Sequence, residues 1–416
     1  MDSNMVRHMA AWAVLVAAAG AGVCGCAATD QRSPAASAGH VSSSGATAPV
    51  AQWRRSLLLE GFDVASQIPV EPHAKDRSTA QEHVAKVCLD LGLMDEATEC
   101  AGRMDGWRRC DVYALIGLKY AASGDTARAR LMALRALDYP ADIEDWAKDM
   151  VATQAARVYL VIGDEPRALE TMKGRAPAEV AKFEVARVAS ADAAQLDSQA
   201  DAFDRGIATL NFDLARSGID GYSALLVRVI DDAPRRDRAL KALEAAITGL
   251  PIDLQVSVNA DLAVSLHEHG QPALAAQFLN RAAELNKNTT FLTQDLAPYG
   301  VIVAKARLRT GDAAGARADL ERLRAQYDAH SEEIVNLRRA QSLRALAEGF
   351  ALIGDRDAAV RCQRDALEAG TINPNSRPRA EDLSATCASI ALAGIEPDAS
   401  IRQRIERARA GLADPW

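Results

Sequence analysis

The residue types that most often carry catalysis or bind metals form no recognised arrangement in this sequence of 416 residues. The segment His267-Glu268-His269 holds two imidazoles two positions apart, whereas a zinc-binding helix needs a four-residue spacing to place both on one face. The chain has neither a phosphate-binding loop ending in Gly-Lys-Ser/Thr nor the Gly-x-Ser-x-Gly turn of a serine hydrolase. We therefore predict a protein without enzymatic activity, metal or cofactor, and expect both histidines to be solvated near a turn.

Cys26 is the residue with the clearest expected chemistry, which is covalent attachment of lipid. A basic start at Arg7 precedes an apolar run from Met9 to Val23, a pattern typical of a secretory leader rather than a fold element. The tetrapeptide Val23-Cys24-Gly25-Cys26 resembles the lipobox of bacterial lipoproteins, although Leu is the commoner first residue. The resemblance implies a signal peptide over residues 1–25 and acylation of Cys26.

The same resemblance implies a location in the cell envelope. In that family an Asp directly after the lipidated cysteine favours the inner membrane, so Ala27 implies an outer-membrane protein that faces the periplasm. Several acyl chains on one residue are enough for stable anchoring, so the membrane would be contacted through the lipid only. The alternatives are a soluble secreted or periplasmic protein cleaved near Ala27-Ala28, and an uncleaved anchor.

Composition separates a tether from a folded body. Residues 26–52 are rich in Ser, Ala, Gly and Pro, and we expect them to be flexible because they cannot bury enough apolar surface to fold. Residues 53–416 are long enough for a solenoid or two domains. The net charge of −8 argues against a nucleic-acid partner. Aromatic residues make up only 5% of the chain, which is low for a carbohydrate-binding cleft.

A repeat is the strongest signal in the body of the chain. A helical apolar pattern ends at Gly, a short polar turn often containing Asp follows, and Ala stands five residues after the Gly. The steps between successive glycines run from 32 (124 − 92) to 43 (354 − 311) residues. We expect the Gly to end one helix in a left-handed conformation and the Ala to allow close helix crossing. The clearest Gly and Ala pairs are Gly92 with Ala97, Gly124 with Ala129, Gly163 with Ala168, Gly270 with Ala275, Gly311 with Ala316, Gly354 with Ala359, and Gly394 with Ala399.

One unit resembles the tetratricopeptide repeat most closely. Gly117 and Tyr120 precede Gly124 and Ala129 at the spacing of that family, and Pro140 follows. The resemblance implies an all-α fold, a right-handed superhelical solenoid of antiparallel helix pairs. The steps near 40 residues exceed the family's period of about 34, so the repeats are divergent.

The family's concave groove is lined by first-helix residues that lie between the packing positions. Carried over by position relative to the glycines, those places hold Arg157, His267, Lys305, Arg344 and Glu348. The resemblance implies that this groove binds an extended acidic peptide or a C-terminal carboxylate of an envelope protein.

Five cysteines follow the leader, and their state is left open. Local disulfides are possible in an oxidising compartment, and the alternative is that each thiol is a small buried apolar group. The candidate pairs are Cys88 with Cys100, Cys100 with Cys110, and Cys362 with Cys387.

The least regular part of the chain is an expected junction near residues 175–250, where two units lack a clean glycine and turns are expected at Ala191-Asp192 and Asp231-Pro234.

The sequence leaves three functions open for this protein. The first is a lipid-anchored, non-enzymatic scaffold that binds a peptide or protein in its groove. The second is an α/α-toroid enzyme that acts on envelope polysaccharide or peptidoglycan, and the third is self-association through a helix over Ala399–Leu412.

Overall fold

A computed structural model describes residues 50–288 and 291–416 of the chain. The expected signal peptide over 1–25, Cys26 and the tether up to residue 49 lie outside the described residues. Residues from Gln52 to Trp416 form one compact unit.

The described part of the chain contains nineteen α-helices, with short 3-10 turns after two of them. In chain order they are α1 Gln52–Ala65, α2 Val70–Asp90, α3 Met94–Gly102, α4 Gly106–Ala122, α5 Thr126–Ala136, α6 Asp145–Val161, α7 Glu165–Met172, α8 Pro177–Arg187, α9 Ala193–Ile207, α10 Phe212–Arg228, α11 Ala233–Ile247, α12 Ile252–Glu268, α13 Pro272–Asn288, α14 Thr293–Arg309, α15 Ala313–His330, α16 Asn336–Leu352, α17 Arg356–Ala369, α18 Ser376–Ala393 and α19 Ala399–Ala410. The prediction of an all-α solenoid built from antiparallel helix pairs is confirmed.

Local signals set the turns between paired helices. Gly124 follows α4 with a φ of 83°, a left-handed conformation that residues with a side chain rarely adopt. Asp125 then accepts a hydrogen bond from the backbone N–H of Arg128 and so caps the start of α5. Asp164, Asp312 and Asp355 cap later helices in the same way. The positive φ recurs at Gly92, Gly163, Gly270, Gly311, Gly354 and Gly394.

Small residues allow the paired helices to pack closely. Ala129, Ala168, Ala316 and Ala359 are fully buried. A Cβ on Gly117 would lie 3.1 Å from a methyl group of Val158 on α6, so this position must stay small. The other members of the set, Ala97 and Ala275, are also buried.

The last unit departs from this pattern. Ala399 was expected to pack at the crossing after Gly394, but it is the first residue of α19 and is exposed. Ile401 and Ile405 are the buried residues of α19, which packs against α17 and α18. The longer turn from Gly394 to Ala399 shifts the helix start, so the buried positions move along the helix.

Helices α8 to α11 fill the irregular stretch, and α8, α9 and α11 all pack on α10. Asp192 and Gln195 form a capping box at the start of α9, and Asp232 caps α11. Both helix starts coincide with turns expected from the sequence. The contact between α10 and α12 is the least extensive between neighbouring even-numbered helices.

The ends of the solenoid are in contact. Each even-numbered helix from α2 to α16 packs against the next even-numbered helix, and α18 packs against both α16 and α2. Helix α1 packs on α18 and α2 and thus covers the junction where the two ends meet. The even-numbered helices therefore form a closed ring, and the odd-numbered helices pack along its outside.

Candidate functional site

A belt of charged side chains runs around the even-numbered helices. These residues lie between the positions that pack against the outer helices, and most of them interact with a residue of the next even-numbered helix. We call this surface the inner belt. Its principal members are His83, Lys86, Asp111, Arg157, Lys182, Asp220, Asp261, Lys305, Arg344, Glu348 and Asp382.

The belt is most deeply buried between α2 and α4. Lys86 Nζ lies 2.7 Å from a Glu82 carboxylate oxygen and 3.7 Å from Asp111 Oδ2. Arg108 Nη1 lies 3.3 Å from the other oxygen of Glu82. Burial raises the pKa of Asp111 to about 6, although Lys86 opposes the change. Burial also disfavours the charged form of Lys86, but Asp111 and Glu82 outweigh it and raise the pKa of this ammonium.

A second group joins α14, α16 and α18. Lys305 Nζ and Glu348 Oε2 are 3.0 Å apart, and the Ser389 hydroxyl donates to the other Glu348 oxygen at 3.0 Å. Arg344 Nη1 lies 2.8 Å from Asp382 Oδ1, and both side chains are largely buried. Ion pairs therefore link these three inner helices to one another.

His83 of α2 shows that solvent enters the ring. Its imidazole is exposed, yet burial, followed by the charge of Arg344, lowers its pKa. Glu348 lies close enough to oppose this change. A side chain that is accessible to water but surrounded by protein is expected on a concave wall. Arg344 and Glu348 belong to α16, so their effect on the pKa of His83 in α2 also reflects the closure of the ring.

Asp261 of α12 is a belt acid whose pKa is strongly raised. Burial raises its pKa to about 7, Asp220 adds to the rise, and Arg216 and Arg309 oppose it. Its side chain is nevertheless exposed. Arg216 is already paired with Asp220 at 3.0 Å, and Arg309 is paired with Glu268. The cations near Asp261 therefore form their ion pairs with other carboxylates.

The belt includes four of the five residues that the sequence suggested for a groove. Arg157 Nη1 donates to Gln154 at 2.9 Å, and burial lowers its pKa while Asp111 opposes the change. Lys305, Arg344 and Glu348 lie in the pairs described above. His267 is half-buried, and its neighbour Glu268 makes the ion pair that links α12 to α14.

Position relative to the turn glycine explains why His267 lies outside the belt. It also accounts for Lys86, a belt residue that the sequence analysis did not select. Arg157, Lys305 and Glu348 each stand six residues before the turn glycine (163 − 157, 311 − 305, 354 − 348), whereas His267 stands three before Gly270. Lys86 also stands six residues before its glycine (92 − 86), so the same rule would have found it. Nothing in the sequence brings His83 or Asp261 to notice, because neither occupies this position.

The five cysteines in the described region are buried free thiols. Contact with the Cys100 thiol, together with burial, raises the pKa of Cys88. Burial raises the pKa of Cys110, Cys362 and Cys387. Of the three candidate pairs, Cys88 with Cys100 is the one whose thiols contact each other in the described structure.

Two further observations concern residues 50–288 and 291–416. No group of three or more His, Cys, Asp or Glu residues is arranged there to hold a metal ion. None of the helices in these ranges has the length and apolar character needed to cross a membrane. Comparison of the whole sequence with protein-family models and with curated proteins found no match.

Proposed function

We propose that this protein is a divergent tetratricopeptide-like scaffold that holds a polypeptide segment of an envelope partner against its inner belt. The observation that supports the proposal is the continuous run of charged side chains around the inside of a closed helical ring. Stacked helical repeats commonly bind partners on their concave surfaces. The proposal includes no catalytic step and no cofactor.

The chemistry of the belt suits a polar, extended segment. Carboxylates and cations both recur around the belt, so a bound chain meets both signs of charge. Lys305, Glu348 and Arg344 can exchange an internal ion pair for one with the partner. Because such an exchange replaces existing contacts, it favours specificity over high affinity.

We further propose that Cys26 anchors the scaffold by lipid in the bacterial envelope, with the ring in the periplasm. The support for this part is the leader and the lipobox-like sequence. The test is the distribution of the protein between membrane and soluble fractions. We expect Cys26→Ser to move the protein out of the membrane fraction, while the matched Cys24→Ser leaves it there. Equal distribution of the two variants would contradict lipid anchoring at Cys26.

Site-specific photocrosslinking in cells tests the binding surface itself. We would replace His83 or Asp261 with p-benzoylphenylalanine, and use Leu131 on the outer helix α5 as the matched exposed control. We expect one reproducible protein adduct from both belt positions and none from position 131. Mass spectrometry of the adduct would identify the partner.

Exchanging two charges gives a second arm of the same test. Lys305→Glu combined with Glu348→Lys keeps an ion pair between α14 and α16 but reverses its direction. We expect the folded protein to keep its stability and lose the adduct. Adducts that form only from position 131 would count against the belt as the binding surface. So would an adduct whose yield is the same in the wild type and in the charge-exchanged variant.

A second function, hydrolysis of an envelope polysaccharide, has one specific observation in its favour. Asp261, with a pKa of about 7, stands near the ionisable Asp220 on the wall of a closed ring. A carboxylic acid that stays protonated near neutral pH beside a second carboxylate is the arrangement glycosidases use.

Release of soluble fragments or reducing ends from purified peptidoglycan tests this second function. If the activity exists, we expect Asp261→Asn to abolish it and the exposed Asp357→Asn on α17 to leave it intact. Absence of any release by the wild-type protein, in the presence of a belt adduct, would leave the scaffold as the function.

A further inference from the structure

The ring is not packed evenly. Eight junctions between neighbouring even-numbered helices are extensive, including the one where α18 meets α2. The ninth, between α10 and α12, is slight, and the outer helix α11 packs on α10 without an extensive contact to α12. We call this junction the α10–α12 seam.

The outer side of the seam is held by an exposed ion pair. Arg281 Nη2 on α13 lies 2.6 Å from Glu244 Oε1 on α11, and the two side chains are 42% and 48% exposed. Exposed pairs of this kind contribute little to stability because water and salt screen them. This ion pair therefore adds little strength to the outside of the seam.

The inner side of the seam carries an unbalanced set of charges. Helix α10 presents Arg216 and Asp220, which are paired with each other, and α12 presents Asp261 and Glu268. Arg309 of α14 is paired with Glu268. Counting these five groups, the seam is neutral when Asp261 is protonated and carries one net negative charge when it is ionised.

We propose that the ring opens at the α10–α12 seam to admit its partner, and that ionisation of Asp261 promotes the opening. In the closed ring, burial disfavours the ionised form of Asp261, and Asp220 adds a repulsion that Arg216 opposes. Opening of the seam hydrates the ionised carboxylate, whereas protonation removes this need and lets α12 settle against α10. Burial and Asp220 raise the pKa of Asp261 to about 7, so the change falls near neutral pH.

This inference serves the polypeptide binding proposed above, because a partner with folded ends cannot thread a closed ring. The opening itself can be measured without any partner. A failure of the gate and a failure of belt binding are therefore distinguishable.

Distance measurement by electron spin resonance on the full-length protein tests the gate. One nitroxide pair, on Lys241→Cys and Glu284→Cys, joins the exposed faces of α11 and α13 across the seam. The matched pair, on Glu321→Cys and Arg361→Cys, joins α15 and α17 across the well-packed junction of α14, α16 and α18. The native thiols in the described region are buried and do not compete for the label.

We expect the seam pair to gain a longer-distance population between pH 6 and pH 8, while the control pair does not change. Asp261→Asn should suppress that gain. Asp90→Asn on α2 should leave that gain unchanged. Burial also raises the pKa of this exposed carboxyl, but α2 packs extensively against its neighbours in the ring. A seam distance that is independent of pH would overturn the gate, and so would an unchanged response in Asp261→Asn or an equal change in the control pair.

Photocrosslinking at position 83 then connects the gate to binding. We expect adduct formation to rise between pH 6 and pH 8 in the wild type and to be insensitive to pH in Asp261→Asn. If the seam opens but the adduct yield does not follow it, the gate does not control access to the belt. If no adduct forms at any pH, belt binding fails while the distance result still decides whether the seam opens.

Discussion

Gly61 of α1 lies directly against Cys387 of α18, although 326 residues separate them (387 − 61). A Cβ placed on Gly61 would be 3.1 Å from the Cβ of Cys387 and 3.2 Å from the carbonyl oxygen of Ser384. The N-terminal helix thus reaches the last inner helix at backbone contact distance. This approach covers the junction of α18 with α2, where the ring closes.

Filling that contact should destabilise the ring. We expect Gly61→Val to lower the free energy of unfolding by about 1–3 kcal/mol, because neither a backbone carbonyl nor a fully buried side chain can move aside freely. Gly102→Val is the matched control, since the nearest atom to its Cβ is the Tyr113 hydroxyl at 3.9 Å, and it should change stability by no more than about 0.5 kcal/mol. Chemical denaturation measures both. Equal effects of the two substitutions would contradict a close contact between Gly61 and Cys387.

The Arg344–Asp382 pair should couple α16 to α18. The side chains are only 14% and 13% exposed, so removing either partner leaves a charge with little access to water. We expect Arg344→Ala or Asp382→Ala to cost about 2–4 kcal/mol, and a double-mutant cycle to give a coupling of about 1–3 kcal/mol.

The exposed pair Lys148–Asp145 provides the comparison for this cycle. Its atoms are 3.0 Å apart, but the aspartate side chain is 97% exposed. We expect a coupling below about 0.5 kcal/mol for this pair. Coupling energies of the same size in both cycles would mean that burial does not strengthen the Arg344–Asp382 contact.

Asp261 should make stability depend on pH. Its pKa of about 7 in the folded protein lies above the value of about 3.9 for an unfolded aspartate, so the folded state holds the proton more tightly. The stabilisation that results is complete below pH about 4 and is lost as pH rises to about 7.

Replacing the carboxyl separates this contribution from the rest of the protein. We expect Asp261→Asn to be more stable than the wild type at pH 8, with the advantage shrinking as pH falls and disappearing only below pH about 4. The surface variant Asp357→Asn should follow the wild type throughout. Thermal denaturation at several pH values measures the difference, and an advantage that grows toward acid pH would contradict the raised pKa.

Cys88 and Cys100 should form a disulfide if the protein is exported. Their thiols contact each other between α2 and α3, and an oxidising envelope supplies disulfide-exchange partners that accept the two electrons and protons. The bridge closes a short loop and should stabilise the protein by about 2–4 kcal/mol. Thiol trapping followed by mass spectrometry of envelope material measures the bond, with the buried Cys110 and Cys362 expected to stay reduced. A trapped free thiol at Cys88 in that material would contradict the prediction.

The residues suggested for a groove show how far position along the sequence predicts position in the ring, while their role in peptide binding stays a prediction. Position relative to the turn glycine identified Arg157, Lys305 and Glu348, because equivalent positions in successive hairpins project from the same side of the inner helix. His267 stands three residues later than the equivalent position, and Lys86 occupies that position in its own repeat. Asp261 has a raised pKa chiefly because of burial within the ring, with Asp220 and Arg216 of another helix acting in opposite directions, and no local pattern reveals this environment.

The sequence by itself determined the helix pairs. Gly124 and Asp125 end one helix and begin the next through their own backbone and side-chain preferences, and such interactions span only a few residues. The tertiary structure decided that the ends of the solenoid meet and that the ring is weakest between α10 and α12. Closure depends on the curvature accumulated over all the repeats, and the contact between Gly61 and Cys387 exists only once every intervening pair has packed.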